Sequence, residues 1–294
     1  MSNPGATLDP HDEKALKALI AWWEEAGIEL DAPIQRPRPA PAAGAAHDRA
    51  PPSSTPATVR DTQQAAPQRT ATAAAARAAG YGQTPDDGPS ARELAAGAAT
   101  LDALQAAIAQ FEGCPLKRTA RNTVFARGNR EARIMVVGEA PGKEEDEQGQ
   151  PFVGRSGQLL DRMFASIGLG ADDLYISNIL NWRPPGNRTP TQEEIAMCLP
   201  FIERHIALKA PDILVVAGGI SAQSLMRTST GITRLRGQWG EYALRDAAGE
   251  PTGRTIPVLP VFHPSYLLRR PPEKRLAWQD MLALEARLAG RTQS

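Results

Sequence analysis

Residues 132–154 read ARIMVVGEAPGKEEDEQGQPFVG, an unbroken apolar run that ends abruptly in glycines and acids. A strand without polar alternation is buried on both faces, as in a parallel sheet covered by helices. The same signal recurs downstream at LYISNIL (174–180), DILVVAG (212–218) and RTIPVLPVF (254–262). Between these runs lie helix-like stretches: GQLLDRMFASIG (157–168), TQEEIAMCLPFIERHIAL (191–208) and a segment beginning near Ser221. A further helix is expected over ARELAAGAATLDALQAAIAQFEG (91–113), and a closing one from Glu273 to Ala289. Thr191 and Glu194 have the spacing of a capping box, and Pro200 should bend the helix they open. Strand and helix alternating in this way predict an α/β fold, three layers deep, around a four-stranded parallel sheet. In such sheets ligands bind beyond the carboxyl ends of the strands.

Upstream the composition changes. Residues 31–90 contain 17 Ala, 10 Pro and 4 Gly, with Ile34, Val59 and Tyr81 as the only large apolar side chains. Such a stretch cannot bury enough apolar surface to offset its ordering entropy, so a disordered linker is expected there. Within residues 1–30, Leu16, Leu19, Ile20 and Trp23 stand at helical spacing behind an acidic start. A short amphipathic helix is expected, docked on its own domain or on a protein partner. The folded domain is then 91–294. Its charge is slightly positive, with 25 Lys and Arg against 22 Asp and Glu. That imbalance is too small to establish a nucleic-acid partner, although arginines gather in TRLRGQ and LLRRPPEKR. No apolar run is long enough to span a membrane and no signal-peptide pattern opens the chain, so a cytoplasmic, monomeric protein is expected. Two cysteines, Cys114 and Cys198, exclude a disulfide framework and, by themselves, a four-thiolate metal site.

The polar segments fall where an α/β site should be. GEAPGKE has neither the spacing nor the hydroxyl residue of a P-loop, and no GxGxxG opens a helix. The segment offers instead carboxylates at Glu139, Glu144, Glu145, Asp146 and Glu147, and an aromatic ring at Phe152. Glu144 and Glu147 read best as solvated surface, whereas Glu139 directly follows the strand and should face a cleft. Asn178 either ties down a neighbouring loop or presents one donor and one acceptor to a planar ligand such as a pyrimidine edge. Of the four histidines, only His263 stands at a strand end, where it could cap the following turn or act in chemistry.

Three motifs in order, GEAPGKEEDEQGQPFVGRSGQLL (138–160), RPPGNRTPT (183–191) and HPSYLLR (263–269), resemble those of family 4 uracil-DNA glycosylases, over roughly Phe111 to Leu284. That resemblance implies hydrolysis of the bond joining uracil to deoxyribose in DNA, the first step of base excision repair. It implies a uracil site at Ala140, Phe152 and Asn178, with Phe152 stacking on the flipped base and Asn178 pairing with its polar edge. Glu139 and Glu145 become the carboxylates of the water-activating loop, and His263 the donor to the departing uracil anion. Arg183, Asn187, Arg188 and Arg269 become phosphate contacts, with Leu267 or Leu268 filling the gap in the base stack; apolar tips there could equally be ordinary core. This agrees with the chemistry, since excision needs an extruded nucleotide, a carboxylate near the cationic sugar and donors at the base oxygens. An inactive DNA-binding descendant and a relative that traps the abasic sugar covalently are the alternatives. Retention of Glu139, Asn178 and His263 opposes the first, and the absence of a histidine from residues 183–190 opposes the second.

The chain departs from the family at one place. Members commonly hold a four-iron cluster on four cysteines, and the matching positions here are Cys114, Lys117, Trp182 and Cys198. Neither an ammonium nor an indole replaces a thiolate, so no cluster is expected and Cys114 and Cys198 are vestigial ligands.

Overall fold

The computed structural model describes residues 89–292, together with Lys17, Ile20 and Glu24, each of which is helical. The rest of the expected amphipathic helix and almost all of the expected linker lie outside the described residues. The domain opens with α1 (Ala91–Gly97) and α2 (Leu101–Gln110). A single helix was expected here; it is two because Thr100 takes an extended backbone and caps α2, its hydroxyl accepting from the Ala103 amide. There follow β1 (Ala126–Gly128), β2 (Ile134–Gly138), α3 (Lys143–Gln148), α4 (Arg155–Ala165) and β3 (Leu174–Asn178). The second half comprises α5 (Gln192–Lys209), β4 (Ile213–Ala217), α6 (Gly219–Met226) and α7 (Ile232–Leu235). It closes with β5 (Gly240–Arg245), β6 (Pro251–Val261), α8 (Pro264–Arg269) and α9 (Lys274–Thr292). The Thr191 and Glu194 capping box opens α5, which continues through Pro200 to Lys209.

The sheet has six strands in the order β1-β3-β2-β4-β6-β5. The four expected strands form its parallel centre. The expected count of four is corrected by two antiparallel edge strands, β1 against β3 and β5 against β6. β1 is only ARG, without an apolar side chain beyond Ala126 to signal it. β5 alternates between exposed and buried residues, the pattern of an edge strand covered on one face.

Period-two alternation splits the strands' side chains between two cores, which makes the three layers. Met135, Val137, Tyr175, Leu214 and Val216 pack with α1, α2 and α5. Ile134, Val136, Ile176, Ile213 and Val215 pack with Leu159, Leu160, Met163 and Phe164 of α4 and with Met281 and Leu284 of α9. With both faces covered, the open surface of the sheet is its carboxyl edge. Gly138 and Asn178 are register partners at that edge, and Ala217 pairs with Val261 beside them.

Candidate active site

A cavity of about 650 Å³ opens at this edge, and Glu139, Ala140, Phe152, Asn178 and His263 all line it. The wall depends on glycine at Gly138. A Cβ there would stand 2.5 Å from the Asn178 Oδ1 and 2.5 Å from the Phe152 ring, so side chain and ring meet over a bare backbone. Asn178 is 3% exposed and its Oδ1 has no hydrogen-bond partner among the described residues. A buried acceptor left unpaired costs about 1–3 kcal/mol, and such cost is retained where a ligand supplies the missing donor.

Phe152 has a φ of 54°, the left-handed region that an aromatic residue seldom adopts. Two backbone donors hold it there. The amides of Val153 and Gly154 both donate to Glu145 Oε1, at 3.0 and 2.9 Å, while the Gly142 amide donates to Glu145 Oε2 at 3.0 Å. The acidic stretch forms the helix α3, and the Glu145 carboxylate joins its first turn to the Phe152 turn. Asp146 anchors the other side, accepting from the amides of Arg121 and Asn122. Gly157 leaves room for the turn, since a Cβ there would lie 1.7 Å from the Phe152 carbonyl oxygen.

Glu139 differs in kind from Glu145. It is half-buried, and its carboxylate has no hydrogen bond or ion pair among the described residues. Burial alone raises its pKa above the ordinary value.

His263 follows β6 and caps α8, the structural one of the two roles foreseen for it. Its Nδ1 accepts from the Ser265 amide at 3.1 Å and lies 2.8 Å from the Ser265 hydroxyl. A backbone N–H can donate only to an unprotonated ring nitrogen, so the neutral ring carries its proton on Nε2. Burial, aided by the positive charge of Arg269, lowers its pKa to about 4, so the imidazole is neutral at pH 7. Its ring lies 5.5 Å from that of Phe152. Gly218, with a φ of 101°, packs against it, where a Cβ would approach the His263 Cβ to 3.1 Å.

The rim separates the remaining sequence candidates. Arg269 is exposed and lines the cavity mouth, as does Asn187. Arg183 donates to the Asn187 side chain at 2.6 Å. Arg188 also lines the mouth, but its guanidinium makes a two-point ion pair with Glu194, at 2.6 and 2.8 Å, that fixes the loop to the start of α5. Leu267 is fully buried in the core shared with α4 and α9, the core alternative left open for these apolar tips, while Leu268 beside it is half-buried. Sequence reasoning passed over Gly138, Gly218 and Ser265. Ser265 was legible, since a hydroxyl residue two places after a histidine is well placed to orient its ring.

At the positions matching cluster ligands, the Cys114 and Cys198 sulfurs are 4.0 Å apart, and both residues are completely buried. Trp182 fills the adjoining space at 1% exposure, its Nε1 donating to the Thr123 hydroxyl at 3.1 Å and its ring tilted against Phe111. Lys117 turns outward to the Ala109 carbonyl and to Glu112. Two thiols, a packed indole and an ammonium do not fit a four-iron cluster.

The Uracil DNA glycosylase superfamily profile matches residues 125–282, which contain every strand and every cavity residue described above. The chain belongs to this superfamily. It is 39% identical over 176 residues to the type-4 uracil-DNA glycosylase of Archaeoglobus fulgidus, covering 58% of this chain and 85% of the relative. It is 36% identical over 171 residues to that of Pyrobaculum aerophilum, covering 58% and 86%. The corresponding enzyme of Thermotoga maritima is 39% identical over 163 residues, covering 55% and 80%. The cavity lies at the carboxyl edge of the sheet, where open α/β sheets bind ligands.

Proposed function

We infer that this chain is a uracil-DNA glycosylase that hydrolyses the C1′–N1 bond of deoxyuridine in DNA, and that the cavity residues divide the work as follows. The observation that carries the reading is Asn178, whose buried Oδ1 is unpaired among the described residues. Uracil offers an N3–H to that oxygen and an O4 to the Asn178 amide, so one side chain satisfies its polar edge. Phe152, preset by its strained turn, provides the flat surface on which the extruded base stacks. As the glycosidic bond breaks, the electron pair stays with uracil as an anion. The neutral His263 donates from Nε2 to the uracil oxygen on which that charge develops. The sugar becomes cationic at C1′. Glu139, without a partner among the described residues, acts as a carboxylate that stabilises it and orients the water that adds there. Products are free uracil and an abasic site.

Glu145 acts on Phe152 through the backbone and is a positioning residue. Arg269 and Asn187 meet phosphates, Leu268 is the apolar tip available to the base stack, and Arg183 and Arg188 shape the loop that presents Asn187. No iron–sulfur cluster takes part, an assignment supported by the two vestigial thiols and the packed Trp182. The working protein is read as a cytoplasmic monomer. Among the described residues no helix is long and apolar enough to cross a membrane.

Asn178→Ala tests the assignment. Single-turnover excision should slow by about 10²–10³-fold, the cost of one pre-aligned hydrogen-bonding group, with little change in affinity for an abasic duplex. Equal losses in rate and abasic-site binding would instead make Asn178 a residue that positions DNA.

A further inference from the structure

Cys114 and Cys198 lie on different elements, 84 residues apart in sequence, with their sulfurs 4.0 Å apart and the Cys198 thiol directed at the Cys114 Sγ. Cys198 is fixed in the middle of α5. Cys114 precedes a short 3-10 turn, Pro115–Arg118, in an extended conformation outside any helix. Its chain neighbours Gly113 and Pro115 are both exposed, so it lies one layer beneath the surface. No other thiol exists in the chain to compete with either. Neither residue lines the cavity of the proposed reaction.

We propose that this pair is a reversible oxidation site, a dithiol that a hydroperoxide converts to an intramolecular disulfide joining the segment after α2 to α5. The geometry requires the sulfurs to close from 4.0 Å to about 2.05 Å, a movement within reach of rotation about the Cys114 side chain and a small shift of its loop. The Cys114 sulfur attacks the peroxide, breaking the O–O bond, releasing one water and leaving a sulfenic acid. The Cys198 sulfur then attacks that sulfur, the S–S bond forms, and the hydroxyl departs as a second water with the Cys198 proton. Two thiols lose two electrons to one hydrogen peroxide. The closed loop contains β1, β2 and β3, with Glu139, Phe152 and Asn178. The disulfide therefore constrains the unfolded state of the half of the domain that bears most of the cavity.

The test uses the full chain, fully reduced and then treated with a small molar excess of hydrogen peroxide. The expected result is loss of both thiols together under denaturing alkylation, a mass lower by about 2 Da for the two hydrogens lost in forming one bridge, and no intermolecular species. The melting midpoint should rise by roughly 5–10 °C and return with dithiothreitol. Cys114→Ala and Cys198→Ala should each abolish the mass loss and the rise; should one variant fold poorly, the wild-type mass and melt still decide the question. Addition of oxygen atoms without the loss of hydrogens, thiols that stay unreacted, cross-linked dimers, or a bridge that leaves the midpoint unchanged or lower would each overturn the proposal.

Discussion

Glu139 and Glu145 stand within seven positions of each other in one acidic motif, yet their surroundings demand opposite responses to the same substitution. Glu145→Gln replaces one carboxylate oxygen by an NH₂ group in a site where Oε1 accepts two amides and Oε2 accepts a third. At least one backbone N–H then faces another donor. A buried donor left without an acceptor costs roughly 2 kcal/mol, which lowers the melting midpoint of a domain this size by about 4–8 °C. Excision slows only as far as the Phe152 turn loosens. Glu139→Gln removes a half-buried charge that nothing among the described residues compensates. Its folded pKa is raised, so the ionised form weakens the fold above that pKa, and the amide should leave the midpoint unchanged or higher at pH 7. The rate should nevertheless fall by about a hundredfold or more, roughly 2.7 kcal/mol of barrier. Calorimetry and single-turnover uracil release on both variants make the comparison. A Glu139→Gln protein near the wild-type rate, beside a Glu145→Gln protein with an unchanged midpoint and a hundredfold loss, would refute the division of roles.

His263→Ala should slow excision by about 10²–10³-fold through loss of one donor, seen as a fall in the single-turnover rate with abasic-duplex affinity retained. The wild-type rate should be flat through neutral pH and decline on the acid side, as Glu139 protonates at its raised pKa and His263 near 4; Glu139→Gln should flatten the part of that limb due to the carboxylate. Because the folded pKa of His263 is depressed from 6.5 to about 4, its contribution to stability is intact above pH 6.5 and is lost as the pH falls toward 4, which acid melts will register. Gly138→Ala should cost both stability and excision, since its methyl meets Asn178 and Phe152 at 2.5 Å, and a melt paired with an excision assay will show the two losses together. The purified protein should be colourless with fewer than about one iron per chain by metal analysis, because two of four thiolates are missing.

The parallel centre of the fold was legible because doubly covered strands are written as continuous apolar runs, and MVVG, LVVA and LYIS admit little else. The edges were not. β1 draws its stability from pairing with β3 rather than from side chains, so three residues of unremarkable composition carry no signal. Glu139, Asn178 and His263 could be placed in the cavity because each ends or closely follows a strand whose position the apolar runs determine. Glu145 and Leu267 show where this reasoning stops. Whether a carboxylate faces substrate or backbone amides, and whether a leucine points outward or into a core, depends on the rotation of α3 and α8, which tertiary packing decides. Phe152 lies between the two cases: the aromatic was legible, but its positive φ is imposed by Glu145 and Gly157 from outside the PFVG segment.

Hydrolytic excision of uracil in this cavity is open to direct measurement. The most direct measurement is release of free uracil from an oligonucleotide bearing one deoxyuridine, by the purified full chain, with thymine- and cytosine-containing strands as controls and a denaturing gel of the same reaction. Hydrolytic excision requires stoichiometric free uracil, an alkali-labile abasic site, no covalent adduct, and no release from either control. Tight binding without uracil release would make the chain an inactive descendant, and a DNA-protein band surviving denaturation would replace hydrolysis by covalent capture; either would contradict it.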